Sequence, residues 1–234
     1  MQKFLSLLFI LSITLAGCSS DDGGTTTTDD GGGVEPITAT YRITFTPNFT
    51  ADAFPTDYPT NPTFAAMIVA VHEPGKTIFN KGQLASDGIK LLAEDGDGSD
   101  LVTFLNSQGG EDEQDFLVTQ AVAGGGATQS QSVNVTVTPE KTEISFVTSL
   151  SPSPDWFIGV NGFSIVLDAN TLVSDESISL NVLDAGTDSG TTYTSPNNPT
   201  SPPATITVVN TPPIATTGGI SPSIGTLRVV RTDL

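Results

Sequence analysis

The chain has 234 residues and is strongly acidic, with 26 aspartate and glutamate residues against 8 lysine and arginine residues. The formal net charge of −18 disfavours nucleic acid and anionic lipid surfaces as partners, because both would be repelled, whereas divalent cations are natural partners. The single cysteine excludes a disulfide within the chain, so the core alone or a bound metal must stabilise the fold.

The amino-terminal residues are typical of an export signal. Lys3 precedes an almost unbroken apolar run from Phe4 to Leu15, shorter than the roughly 20 residues that span a bilayer. The run ends in Leu-Ala-Gly-Cys, which resembles the lipobox of bacterial lipoproteins. We predict a signal peptide over residues 1–17, a lipid anchor on Cys18 and no transmembrane span in the mature protein. The alternative is an ordinary signal peptide followed by a chance cysteine.

Residues 18–37 are predicted to form a flexible tether, because residues 19–36 are rich in aspartate, glycine and threonine and Val34 is the only large aliphatic side chain among them. The pair Asp21-Asp22 resembles the surface-export signals of lipoproteins in the Bacteroidetes group. Ser19 does not favour retention at the inner membrane. The predicted location is therefore the outer membrane of a Gram-negative bacterium, with the cell surface favoured over the periplasmic face.

The remaining segment, 38–234, is predicted to be one domain built from strands. Tyr41–Phe45 alternates apolar and polar residues, whereas Phe64–Val71 is a continuous apolar run that indicates a strand buried on both faces. The other predicted strands are Phe116–Val122, Val133–Val137, Ile144–Leu150, Trp156–Leu167, Ile178–Leu183, Ala204–Val209 and Leu227–Val230. Strands at this spacing predict an all-β fold, an antiparallel β-sandwich.

Two short helices interrupt the strand pattern. Ser86 is the predicted cap of a helix over Asp87–Glu94, and Ser99 is the predicted cap of a helix over Asp100–Leu105. The segment Asp95–Asp100 between them starts like an EF-hand loop. It lacks the turn glycine and the closing glutamate at the required positions, so it is predicted to be a polar turn.

Enzyme motifs are mostly absent from the sequence. His72 is the only histidine, and there is no Gly-x-Ser-x-Gly motif, phosphate-binding loop or dinucleotide fingerprint. We predict a structural role for His72 and a non-enzymatic protein. The many acidic residues leave a carboxylate-based secreted hydrolase open as the alternative.

Three aspartates in two segments are candidate metal ligands. Asp155 follows two prolines at the entry of a predicted strand, and Asp184 and Asp188 flank Gly186 in a tight turn. Three converging carboxylates would need a cation, and Ca²⁺ suits an irregular loop site of oxygen ligands. The competing interpretation is that Asp184 and Asp188 only shape the turn. The residues by themselves favour neither interpretation.

The same two segments carry a resemblance to a known family. The strings Ser151–Val160 (SPSPDWFIGV) and Asp184–Gly190 (DAGTDSG) resemble the two most recognisable motifs of the spondin domain, the N-terminal domain of F-spondin and mindin. The resemblance implies a sandwich like that of C2 domains with calcium bound at one end by Asp155, Asp184 and Asp188. Trp156 is expected to pack in the core beside the ion.

One departure from the family pattern concerns a further ligand. The family's glutamate position falls on Thr136, and Glu140 or Glu143 would replace it only if the intervening hairpin shifted. The resemblance still favours a calcium-stabilised adhesion or ligand-binding module, whose protein or glycan ligand is unknown. The alternatives are the carboxylate-based hydrolase and a structural component of the envelope or matrix.

Overall fold

The computed structural model describes residues 38–110, 113–168, 171–216 and 218–234. The predicted signal peptide over 1–17, the lipid-bearing Cys18 and the tether over 18–37 lie outside the described residues. Within those ranges, none of the helices has the length and apolar character needed to cross a membrane.

The described residues form a domain of β-strands with two helices, α1 (Asp87–Asp95) and α2 (Ser99–Asn106). The strands are β1 (Ala39–Pro47), β2 (Thr63–Phe64), β3 (Ile68–His72), β4 (Phe116–Gln120), β5 (Gly125–Gly126), β6 (Gln131–Val137), β7 (Glu143–Ser151), β8 (Trp156–Ser164), β9 (Val166–Asp168), β10 (Thr171–Leu172), β11 (Asp175–Leu180), β12 (Val182–Asp184), β13 (Thr207–Val208) and β14 (Gly225–Arg231).

The smaller main sheet has the strand order β11-β14-β1-β6 and is antiparallel throughout. Strand β1 is hydrogen-bonded on both edges, with Ile43 opposite Val229 in β14 and opposite Val133 in β6. Every second residue of β1 is buried, as its sequence alternation predicts. One face of this sheet therefore meets the core.

The larger sheet runs β13-β12-β8-β7-β2-β5, and β3 pairs with both β7 and β4. Its central strands are buried on both faces. On one face Phe146 and Trp156 meet Phe45 of the small sheet in the main core. On the other face Val147 packs in a second cluster that includes Leu92 of α1. This double burial explains the long apolar runs, and the sandwich predicted from the sequence is confirmed.

The helical segment agrees with the sequence except at one cap. The Ser86 Oγ accepts a hydrogen bond from the Ile89 amide at 3.3 Å, as predicted, and α1 ends in a left-handed Gly96. The prediction of Ser99 as a cap was wrong, because Ser99 is itself the first residue of α2. Its amide instead donates to Asp97 Oδ1 at 2.9 Å, which leaves the predicted polar turn between the helices in place.

Four predicted strands are interrupted or shortened in the structure. The run Phe64–Val71 is divided into β2 and β3. Between the two strands, the Gln131 side-chain amide replaces the interstrand hydrogen bonds: it accepts one from the Met67 amide and donates one to the Ala65 carbonyl oxygen. The predicted strand Trp156–Leu167 is interrupted at the buried Ile165, which lies between β8 and β9. Within the predicted strand Ala204–Val209, only β13 is a strand in the structure. Ile178–Leu183 breaks at Asn181, where the chain passes from the small sheet to the large one.

Candidate metal centre

The candidate centre lies where β8 begins and β12 ends. Asp155 immediately precedes β8, and Asp184 is the last residue of β12, where the antiparallel register places it opposite Trp156. The Ala185 amide donates to the Asp155 carbonyl at 3.1 Å and extends the ladder by one more pair. The ladder therefore makes Asp155 and Asp184 neighbours in space although they are 29 positions apart in the sequence.

Asp155 is fully buried, and its two carboxylate oxygens differ in their surroundings. Oδ2 accepts from the amides of Thr187 at 2.7 Å and Asp188 at 3.0 Å, and from the Thr187 hydroxyl at 3.3 Å. Oδ1 is buried and has no hydrogen-bond partner among the described residues. A buried acceptor without a partner is costly, so this oxygen has capacity for a further hydrogen-bond donor or a cation.

The pKa values of Asp155 and Asp184 also indicate that negative charge at this site is poorly compensated. Burial raises the pKa of Asp155 to about 6, opposed by the Asp188 and Thr187 hydrogen bonds and reinforced by the charge of Asp184. Burial also raises the pKa of Asp184, opposed by hydrogen bonds from Gly186 and Trp156 and reinforced by the charge of Asp188. Both carboxylates are therefore poorly compensated as anions, and a cation between them would relieve the penalty.

Asp188 has a different local role from the other two aspartates. Its Oδ1 accepts from the Gly190 amide and its Oδ2 from the Asn198 amide, each at 2.6 Å. Asp188 also pairs with Pro199 through an isolated bridge. These bonds are the turn-shaping contacts of the competing interpretation, although each oxygen retains acceptor capacity.

Two glycines let the loop after β12 close tightly. Gly186 has φ +75°, and a Cβ at this position would lie 2.3 Å from the Ala204 carbonyl oxygen. A Cβ on Gly190 would lie 2.8 Å from the Pro154 Cβ and 2.9 Å from the Asp188 Oδ1. The loop after β12 thus packs directly against Pro154, the residue before Asp155.

The structure does not assemble the three aspartates into a three-carboxylate cage. Across the described ranges, no group of three or more His, Cys, Asp or Glu side chains is arranged to hold a metal ion. What the site offers is two adjacent, poorly compensated carboxylates, one with an unpartnered oxygen, and a third carboxylate that organises the loop. Hard oxygen donors of this kind fit calcium, which also accepts carbonyl and water ligands.

The replacements considered for the family glutamate do not reach this site. Thr136 is exposed on β6, opposite Thr40 in the small sheet. Glu143 begins β7 opposite Ser164, about 27 Å along the strand from the Ser151 end that leads to Asp155. Glu140 lies in the turn just before Glu143. The hairpin has not shifted in the way that either replacement would require.

His72 makes a contact that the sequence did not reveal. Its Nε2 lies 2.7 Å from the Ser145 Oγ, its Nδ1 lies 2.9 Å from the Glu73 carbonyl oxygen, and Glu143 Oε2 is 3.9 Å from Nδ1. The set resembles a serine–histidine–acid arrangement, but both Ser145 and His72 are completely buried. The burial of both side chains agrees with the structural role predicted for His72.

The family model Spondin_N matches residues 39–216 of this chain. The chain belongs to the spondin N-terminal domain family. Human spondin-2 is 32% identical over 174 residues, which cover 73% of this chain and 52% of spondin-2. Spondin-1 of Rattus norvegicus is 33% identical over 174 residues, and spondin-1 of Xenopus laevis is 35% identical over 172 residues. Each spondin-1 match covers 70% of this chain and 21% of the relative, so this chain matches about half the length of spondin-2 and about a fifth of the length of spondin-1.

The matched region contains every feature of the candidate centre. It includes β8, β12 and the loop that carries Asp188, together with both helices. Trp156, expected in the core, is 2% exposed and packs edge-on against Tyr193 with ring centroids 5.4 Å apart. The spondin domain thus has its sole tryptophan directly beside Asp155 and opposite Asp184.

Proposed function

We propose that this chain is a non-enzymatic spondin module, anchored by lipid on Cys18 at the cell surface, which binds calcium and presents loops for adhesion or ligand binding. Asp155 and Asp184 are the proposed metal ligands, and Asp188 holds the loop and completes the site. The observation that carries the proposal is the buried Asp155 Oδ1, which has no hydrogen-bond partner among the described residues.

A bound cation would satisfy that oxygen and offset the repulsion between the two carboxylates. An unpartnered buried acceptor costs about 1–3 kcal/mol, and more when it is charged. Calcium accepts six to eight oxygens in loose geometry, including backbone carbonyls, so a loop site with two or three carboxylates suits it better than magnesium. The pKa of Asp155, raised by burial to about 6, still leaves the carboxylate ionised at pH 7 for binding.

The adhesive role is proposed for the loop that the site would stabilise. The Ser189 amide donates to the Asn198 carbonyl at 3.0 Å, and Thr200 donates to Thr187 at 2.9 Å. The loop over residues 186–200 is therefore a folded unit attached to the candidate ligands at its base. An ion at its base would reduce its motion, and ligands bind ordered loops at a lower entropic cost.

The non-enzymatic assignment rests on what the described cavities contain. A cavity beside the helix starts includes Asp87 and Asp100, but both are exposed first-turn residues. A carboxylate-based hydrolase needs one acid kept protonated by an apolar environment. Among the described residues, the two acids with raised pKa values lie instead in the candidate metal centre, where a bound cation would offset their charges.

Thermal unfolding with calcium or chelator tests the proposal. At calcium one hundred times above its Kd the gain is about 2.7 kcal/mol, which corresponds to a Tm rise of roughly 5–10 °C for a domain of this size. Asp155→Asn and the pair Asp184→Asn with Asp188→Asn should each abolish the rise. Asp97→Asn, in the EF-hand-like turn, is the matched control and should keep it. No rise at millimolar calcium, or a rise lost only in the control, contradicts the proposal.

A further inference from the structure

A second concave site lies where the chain crosses between the two sheets. β11 ends at Leu180 in the small sheet and β12 begins at Val182 in the large one, so Asn181 alone connects them. β12 pairs with β8 only as far as Ile158, and no described strand replaces it beside Gly159–Ser164. The gap is a cavity of about 380 Å³, within the usual size range for small-ligand sites.

The cavity has a preformed apolar wall. A Cβ on Gly159 would lie 2.7 Å from the Phe79 ring, so the glycine allows that ring to lie directly on β8. Phe79 packs edge-on against Phe157 with ring centroids 5.2 Å apart, and Leu183 and Val208 are among the other apolar side chains that line the cavity. These contacts fix the wall before any ligand arrives.

Asn161 supplies a polar group whose orientation is already set. Its Oδ1 accepts from the Ile78 amide at 2.9 Å and from the Ser145 hydroxyl at 3.3 Å. Ser145 is in turn held by the buried His72. The Nδ2 of Asn161 has no hydrogen-bond partner among the described residues, so it remains available as a donor at the cavity wall.

The charge of the cavity is opposite to that of the chain as a whole. None of its lining residues is acidic, although the chain has 26 acidic residues. Lys81 lines it and makes no ion pair in the described part of the chain. Four of the other basic residues are paired with carboxylates: Lys76, Lys141, Arg228 and Arg231. A lone lysine in an acid-free cavity favours an anionic ligand.

We propose that this cavity binds a small organic anion of the sugar-acid class, with one carboxylate and neighbouring hydroxyl groups. Lys81 pairs with the carboxylate, and the amides of Asn80, Asn161 and Asn181 bind the hydroxyls. The assignment names a ligand class for the ligand-binding role proposed above and rests on that role. It does not depend on the calcium centre.

Titration calorimetry with D-glucuronate tests the assignment, with D-glucose as the uncharged control. Glucuronate should bind and glucose should bind more weakly. Lys81→Gln should weaken glucuronate binding about fivefold, the worth of one solvent-exposed ion pair. Lys90→Gln is the matched control, because Lys90 also makes no ion pair with any described residue but does not line the cavity, and it should leave the affinity unchanged.

Two results would overturn the assignment: no binding of glucuronate up to tens of millimolar, or equal losses in the two lysine variants. The calcium melt, repeated on the same protein, separates this failure from failure of the proposed function. A retained calcium rise without glucuronate binding rejects the cavity assignment only. A parallel titration with oligogalacturonate shows where the ligand comes from. Tighter binding of the oligomer than of glucuronate indicates an acidic polysaccharide, and equal binding indicates a free sugar acid.

Discussion

Asp155→Asn should have opposite effects on stability with and without calcium. Burial raises the Asp155 pKa from its ordinary 3.8 to about 6, so the folded state holds the proton more tightly than the unfolded chain. The contribution of protonated Asp155 to the free energy of unfolding is fully present below pH 3.8 and is lost as the pH rises through 6. The full loss is at most about 3 kcal/mol.

Asparagine mimics the protonated aspartate and removes that pH-dependent loss. Without calcium, the variant should be more stable than the wild type at pH 7.5 by up to about 3 kcal/mol. At pH 4.5 the advantage should shrink to about 1 kcal/mol, because wild-type Asp155 is then largely protonated in the folded state. With calcium at one thousand times its Kd at pH 7.5 the order reverses, because only the wild type gains the binding free energy, which at that concentration is about 4.1 kcal/mol.

Urea unfolding followed by Trp156 fluorescence measures these differences, because Trp156 is the only tryptophan and lies next to Asp155. Asp175→Asn is a suitable control. Its hydrogen bond with Arg228 lowers the pKa of Asp175, so its removal should not stabilise the protein at pH 7.5. A calcium-free Asp155→Asn variant that is equally destabilised at both pH values would refute the reasoning.

Two other predictions concern the loop and the anchor. Gly186→Ala should destabilise the protein by clearly more than Gly75→Ala: both glycines have positive φ, which costs an alanine about 1–2 kcal/mol, but only position 186 also meets a backbone oxygen. Equal losses in urea unfolding would contradict this packing argument. Cys18→Ala should abolish incorporation of labelled palmitate into the protein, because the thiol is the proposed acceptor of the diacylglycerol. Label retained in the variant would rule out Cys18 as that acceptor.

The sandwich was predictable because burial leaves a direct trace in the order of residues. The alternation in Tyr41–Phe45 marks a strand with one buried face, and the continuous run Phe64–Val71 marks a strand buried on both faces, with Val69 in the main core and Ala70 in the cluster beside the helices. The break between β2 and β3 was not predictable from the apolar pattern of the sequence. It depends on Gln131, more than 60 residues away, whose amide satisfies the backbone that leaves the ladder.

The candidate site was predictable in part. Two motifs identified Asp155 and Asp184, and the β8–β12 register makes them adjacent. The role of Asp188 was not determined by the sequence, because its contacts depend on how the loop folds back to Asn198. The cavity at Asn181 was missed entirely. A single run, Ile178–Leu183, supplies strands to both sheets, and apolar periodicity does not show where such a run changes sheets.

The position of β1 has a mechanical consequence for a tethered protein. Force transmitted from an attachment point before residue 38 enters the domain at Ala39, the first residue of β1. Seven residue pairs join β1 to β14 on one edge and seven join it to β6 on the other. Extraction of this strand requires both ladders to fail, and it also withdraws Tyr41, Ile43 and Phe45 from the core. The domain is thus built to resist pulling at the end where its proposed anchor is attached.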